Sequence, residues 1–155
     1  MRYATGSSRE EVRSNVTEPA TAQGERRPGL PQRDTPVRID AQAALSLARR
    51  IVELAEDKKA SDIVLIDVHE LTSLADYFVI CSGGSERQLG AIADGIAEGC
   101  KADGFLPLGR EGQAGAHWVL LDFGAVVVHV FAPPERDYYQ IERFWSDAPT
   151  LLRVQ

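Results

Sequence analysis

Apolar residues along the chain follow two rhythms, a spacing of three to four that marks helices and a spacing of two that marks strands. The first helical run follows Asp40, where Ala44, Leu47, Ala48, Ile51 and Leu54 or Ala55 form one stripe. Asp40 is placed as its N-cap, and Lys58 and Lys59 suit the negative end of the helix dipole. The β-branched run at 62–68 predicts a buried strand, and residues 76–82 predict a second one after a linker.

A Ser82-Gly83-Gly84 turn then leads into a second helical stripe made of Leu89, Ile92, Ala93, Ile96 and Cys100. Ser85 to Gln88 has the S-x-x-Q form of a capping box, and Gly104 is placed to stop the helix in a left-handed cap. Residues 105–110 read as an edge strand, since Pro107 cannot donate to a ladder. The clearest hairpin spans 118–123, Gly124 and 125–131. In its second arm Val126, Val128 and Val130 share one face, and Val127, His129 and Phe131 share the other. Pro133 and Pro134 end the sheet, and 135–145 reads as a short terminal helix. The order α-β-β-α-β-β-β-α predicts an α/β (α+β) domain, a mixed five-stranded sheet with flanking helices.

Residues 1–36 break both rhythms. They are rich in Ser, Thr, Pro, Gly and Arg and hold almost no large aliphatic side chains, so they read as a disordered tail. Three segments follow: the tail at 1–36, a domain at 37–149 and a C-terminal extension at 150–155. The first residues carry no apolar core of a signal peptide, and no run reaches the roughly 18 apolar residues of a membrane span. Two cysteines are too few for a disulfide scaffold or a structural zinc site. The expectation is a cytoplasmic chain with no membrane association and no cofactor.

Charge separates the tail from the domain. Residues 37–155 hold 11 basic and 18 acidic side chains, a net of −7. Such a surface repels phosphate backbones, which argues against direct nucleic-acid recognition and favours a basic protein as partner.

The ordered part resembles the ribosomal silencing factor (RsfS, Iojap-like) family over roughly residues 41–149. The resemblance rests on Ala75-Asp76-Tyr77-Phe78, on Ser82-Gly83-x-Ser85 and on Trp118-Val119 with Asp122. It continues in Val128-His129-Val130-Phe131 and in Tyr139 with Glu142 and Trp145. It departs at Gly84, where the family often has Asn or Thr, and at Ala125, where an acidic residue often follows the hairpin glycine. The resemblance implies a nucleotidyltransferase-like fold without the catalytic residues. It also implies a translation repressor that is not an enzyme and that binds the large ribosomal subunit through ribosomal protein fourteen. Occupying that site would block association with the small subunit, especially under nutrient limitation.

Each candidate site has a plainer reading beside it. The Ser82–Ser85 turn before a helix suits phosphate, as in a nucleotide-binding or nucleotidyltransferase-like enzyme, but it equally caps the helix. That enzyme needs two or three convergent carboxylates for Mg²⁺, and no D-x-D pair stands on the strand that follows. Asp122-Phe123-Gly124 shares letters with a kinase magnesium motif but reads as a hairpin turn. His69, His117 and His129 are scattered, without the short spacing of metal ligands. The resemblance makes Trp118 the leading partner contact, with Asp76, Tyr77, Asp122, His129, Tyr138 and Glu142 beside it. Asp76, Asp122 and Glu142 are expected to form an acidic rim. Arg136 and Arg143 are expected to pair with Glu residues along the terminal helix. The hairpin strands allow a monomer or a weak homodimer.

Overall fold

A computed structural model describes residues 39–112 and 115–155. Its elements in chain order are α1 (Ala41–Asp57), β1 (Ser61–Asp67), β2 (Tyr77–Ser82), α2 (Glu86–Ala102) and β3 (Gly109–Glu111). Then come β4 (Trp118–Asp122), β5 (Val126–Phe131), α3 (Pro133–Tyr139), α4 (Ile141–Phe144) and β6 (Thr150–Val154). The strands form one sheet in the order β3-β4-β5-β2-β1-β6. Only β2 and β5 run parallel, with Val79 beside Val128; every other pair is antiparallel. The sheet therefore has six strands, one more than the sequence predicts.

The helices start and stop where local chemistry dictates. The Asp40 carboxylate accepts the Ala43 N–H at 2.8 Å and so satisfies one of the orphan donors of α1. At the other end Lys59 takes a left-handed φ of 66°, and Ala60 and Lys59 return their N–H groups to Ala55 and Glu56. In α2 the same double closure uses Gly104 at φ 97°, with Phe105 bonded to Cys100 and Gly104 to Lys101. Ser85 caps α2 by accepting the Gln88 N–H at 3.1 Å. The Gln88 amide oxygen accepts from Gly84 at 2.6 Å, one residue earlier than a capping box requires. Its amide nitrogen donates to the Lys59 carbonyl at 2.9 Å, so one side chain ties the end of α1 to the start of α2.

Both helices lie on one face of the sheet. Their stripes meet Ile63 and Leu65 of β1, Tyr77, Val79 and Cys81 of β2, Val119 and Leu121 of β4, and Val126, Val128 and Val130 of β5. The helices approach closely at Gly95 and Gly99, where an added Cβ would fall within 2.7 Å of the Lys58 stem and 2.4 Å of Leu54. Each fully buried aliphatic side chain in this layer contributes about 1.5–3 kcal/mol. Cys81 and Cys100 belong to the same layer, and burial pushes their thiols up to about 12 and about 11. They are packing residues.

Three features depart from expectation. The edge strand begins at Gly109, because residues 105–108 lead out of α2 and only the Leu108 N–H reaches the Asp122 carbonyl, at 2.6 Å. The terminal helix is two pieces, interrupted at Gln140 with φ 48°. The stretch at 150–155 is more than an extension: it supplies β6 against β1, braced by an Arg153–Asp62 ion pair at 2.6 Å. The tail at 1–36 lies outside the described residues.

Candidate functional site

Sheet alternation sends a second apolar set to the face opposite the helices, comprising Val64, Ile66, Phe78, Ile80, Leu120, Val127 and Phe131. Against it lie Val68 and Ala75 from the β1–β2 connection, and Ile141, Trp145 and Ala148 from the end of the domain. Pro133 and Pro134 open α3, where their missing N–H groups cost nothing. The left-handed Gln140 then reverses the chain into α4.

Arg136 holds this reversal in place. It is 8% exposed. Its Nε and Nη2 donate to the two Glu142 carboxylate oxygens at 3.1 and 2.7 Å. Its Nη1 donates to the Asp62 carbonyl at 2.7 Å and to Ser82 Oγ at 2.8 Å. One planar fork thus joins α3 and α4 to β1 and β2, a geometry that lysine cannot reproduce. The expected helical ladder of Arg–Glu pairs is not what forms. Arg136 and Glu142 are six residues apart and meet across the break, while Arg143 donates to the Gln140 side chain at 3.1 Å.

Aromatic rings then run in a line across this face. Tyr138 meets Tyr139 edge-on at 5.0 Å, and Tyr139 lies 4.8 Å from Trp118. Trp118 stacks on Phe131 at 4.7 Å and donates its indole N–H to His129 Nδ1 at 3.2 Å. His129 meets Phe78 at 5.2 Å, Phe78 meets Trp145 at 5.3 Å, and Trp145 meets Phe144 at 5.1 Å. The middle of the line is buried, with His129 at 3% exposure. Its two ends, Tyr138 at 79% and Phe144 at 78%, stand in solvent. Exposed rings packed against a buried aromatic base lose little conformational entropy on docking, which is why such groups anchor protein interfaces.

Of the predicted site residues, Trp118 and His129 are in direct contact, and Tyr138 is joined to them through Tyr139. Glu142 lies nearby, but Arg136 occupies both its oxygens. Asp122 closes β4 four positions from Trp118, about 13 Å along the strand, and accepts the Gly124 N–H at 2.8 Å. Asp76 stands at that same end, its N–H bonded to the Ala125 carbonyl at 2.8 Å. The acidic rim is accordingly not one ring of charge: two of its members are remote from the tryptophan and the third is engaged. Tyr77 is 8% exposed and packs on the helix-covered face, where burial first, and Asp67 and Asp76 after it, push its phenol up. It does not share a surface with Trp118.

Phe144 and Arg136 are the contributors that sequence patterning missed. An exposed phenylalanine reads as part of a buried helix stripe, and the six-residue separation of Arg136 from Glu142 fits no helical ladder. The adjacent aromatic pairs Tyr138-Tyr139 and Phe144-Trp145 are the signal that would have found this surface, since a helix cannot bury neighbouring residues on one face.

The polar groups of the Ser82–Ser85 turn are engaged by neighbouring elements. The Gly83 N–H donates to the Phe131 carbonyl and the Gly84 N–H to the Gln88 amide oxygen, and Ser82 Oγ accepts from Arg136. A phosphate would have to displace these bonds. Among the described residues no group of three His, Cys, Asp or Glu side chains is arranged to hold a metal ion.

Comparison with known proteins gives a consistent result. A family model described as ribosomal silencing factor during starvation matches residues 41–155, including β6. The ribosomal silencing factor RsfS of Bacillus subtilis is 42% identical over 104 residues, covering 67% of this chain and 88% of that one. A mouse protein named for mitochondrial assembly of the ribosomal large subunit is 33% identical over 101 residues, covering 62% of this chain and 43% of its own length. A crystal structure of a Chromobacterium violaceum protein superposes with a TM-score of 0.65 at 38% identity, covering 70% of this chain and 88% of that one.

Proposed function

The chain belongs to the ribosomal silencing factor family, and we propose that it represses translation by steric obstruction, with no turnover. In this reading the Trp118 aromatic surface docks on ribosomal protein fourteen of the large subunit and keeps the small subunit away. The observation that carries it is the line of contacting aromatic rings, buried at its centre and exposed at Tyr138 and Phe144. The net charge of −7 over residues 37–155 supports a basic protein as the target, ahead of RNA. The name of the mouse relative, which concerns large-subunit assembly, agrees with that side of the ribosome. A patch of about 800 Å² per partner is the usual size of a specific interface, within reach of a domain this small. No helix among the described residues is long and apolar enough to cross a membrane, and the proposed place of action is the cytoplasmic ribosome.

Co-sedimentation with purified large subunits, followed by a subunit-joining assay, tests the proposal. The protein should pellet with large subunits and reduce joining in proportion to occupancy. Large subunits that ignore it, or that join small subunits equally well in its presence, would overturn the reading.

A further inference from the structure

His117 immediately precedes Trp118, the first residue of β4. Its Nδ1 lies 3.0 Å from Glu135 Oε2 at the start of α3, and its Nε2 lies 3.2 Å from Glu86 Oε2 in the first turn of α2. A carboxylate only accepts, and a neutral imidazole has only one N–H to give. Both contacts are hydrogen bonds only when the ring carries two protons. The other Glu135 oxygen is buried and has no hydrogen-bond partner, so the imidazolium is the group that compensates this carboxylate. The His117 carbonyl also accepts the Ala132 N–H at 2.9 Å, fixing the entry into α3. Glu135 and Tyr139 are four residues apart and so lie on one side of α3, and Tyr139 is the ring that packs on Trp118.

We infer that His117 is a positioning residue for the docking surface: doubly protonated, it bolts α3 to α2 through Glu135 and Glu86 and thereby sets Tyr139 against Trp118. The inference rests on the docking role proposed above. The charged groups that act on the ring are Glu135 from α3 and then Glu86 from α2, and both raise its proton affinity. The bolt is complete below the ordinary imidazole value of about 6.5 and is lost as pH rises through the raised one. A neutral ring keeps a single N–H, and its bare nitrogen then faces a carboxylate. Binding to large subunits should weaken over the same interval.

Two measurements test this. In NMR titrations of the free protein, the Tyr139 amide and the His117 ring should share one midpoint above 6.5, and the Tyr139 response should vanish in His117→Gln. Glu86→Gln should lower the His117 midpoint while leaving the response in place. Affinity for purified large subunits, at constant salt, should fall about fivefold between about pH 6 and pH 8.5 for the unaltered protein. His117→Gln should bind at pH 6 as weakly as the unaltered protein does at the high end and lack this slope. A Tyr139 amide that ignores His117, or a His117→Gln variant with the unaltered slope, overturns the inference. Coupled titration without any binding to large subunits would support His117 as a positioning residue and refute the docking role alone.

Discussion

Each face of the sheet carries a buried apolar set, but the two are closed in different ways. One is covered by α1 and α2, each 17 residues long, whose stripes interlock at Gly95 and Gly99. The other is covered by helices of seven and four residues, held by the fork of one arginine. The first face ends in a layer without exposed rings. The second ends in Tyr138 and Phe144 standing in water. A domain needs one well-closed face to be stable, and the partial closure of the other leaves apolar area for a partner.

Substitutions on the two faces should therefore separate stability from binding. Ile96→Ala, in the fully buried stripe of α2, should cost about 4 kcal/mol in urea unfolding, while the folded fraction binds large subunits normally. Arg136→Ala sits at the boundary. It leaves Glu142 without its partner and should cost about 2 kcal/mol of stability, less than a fully buried pair because Glu142 is partly exposed. It should also weaken binding, since α3 and α4 lose their anchor, and Arg136→Lys should not rescue it. Unaltered affinity in Arg136→Ala would disconnect the C-terminal segment from the docking surface.

Trp118→Ala should show the opposite balance, losing about 2 kcal/mol of affinity for the large subunit in equilibrium co-sedimentation. Its thermal midpoint should move less than that of Ile96→Ala. The smallest effect is expected at Tyr77→Phe, whose ring lies under α1 and α2. Its affinity should stay within about twofold of the unaltered protein. A large loss there would place the interface on the wrong side of the sheet.

Where one local rule decides the outcome, the sequence is readable. Both long helices, their caps at Asp40 and Ser85, the stop at Gly104, and the face alternation of β5 follow from spacing and residue type alone. Strand β6 escapes because Leu151 and Leu152 are adjacent and largely exposed, so its letters show no alternation. The interruption at Gln140 escapes because neither glycine nor proline marks it; Arg136 and Glu142 meeting across it hold the left-handed residue in place. Of the proposed docking surface, the sequence offers individual residues and not their arrangement. Trp118 and His129 are two positions of one hairpin face, whereas the burial of Tyr77 and the engagement of Glu142 depend on contacts between remote elements.

The placement of β6 at the sheet margin has a consequence for biosynthesis. Strand β1 carries four consecutive buried aliphatic residues, Ile63 to Ile66, and its outer hydrogen-bonding groups are satisfied by residues made some ninety positions later. Until Thr150–Val154 emerge, the nascent domain presents a sticky, unpaired margin of the kind that recruits other chains. A stop codon just after Pro149 would leave that margin open permanently, and the product should precipitate during expression even though both sheet faces are encoded.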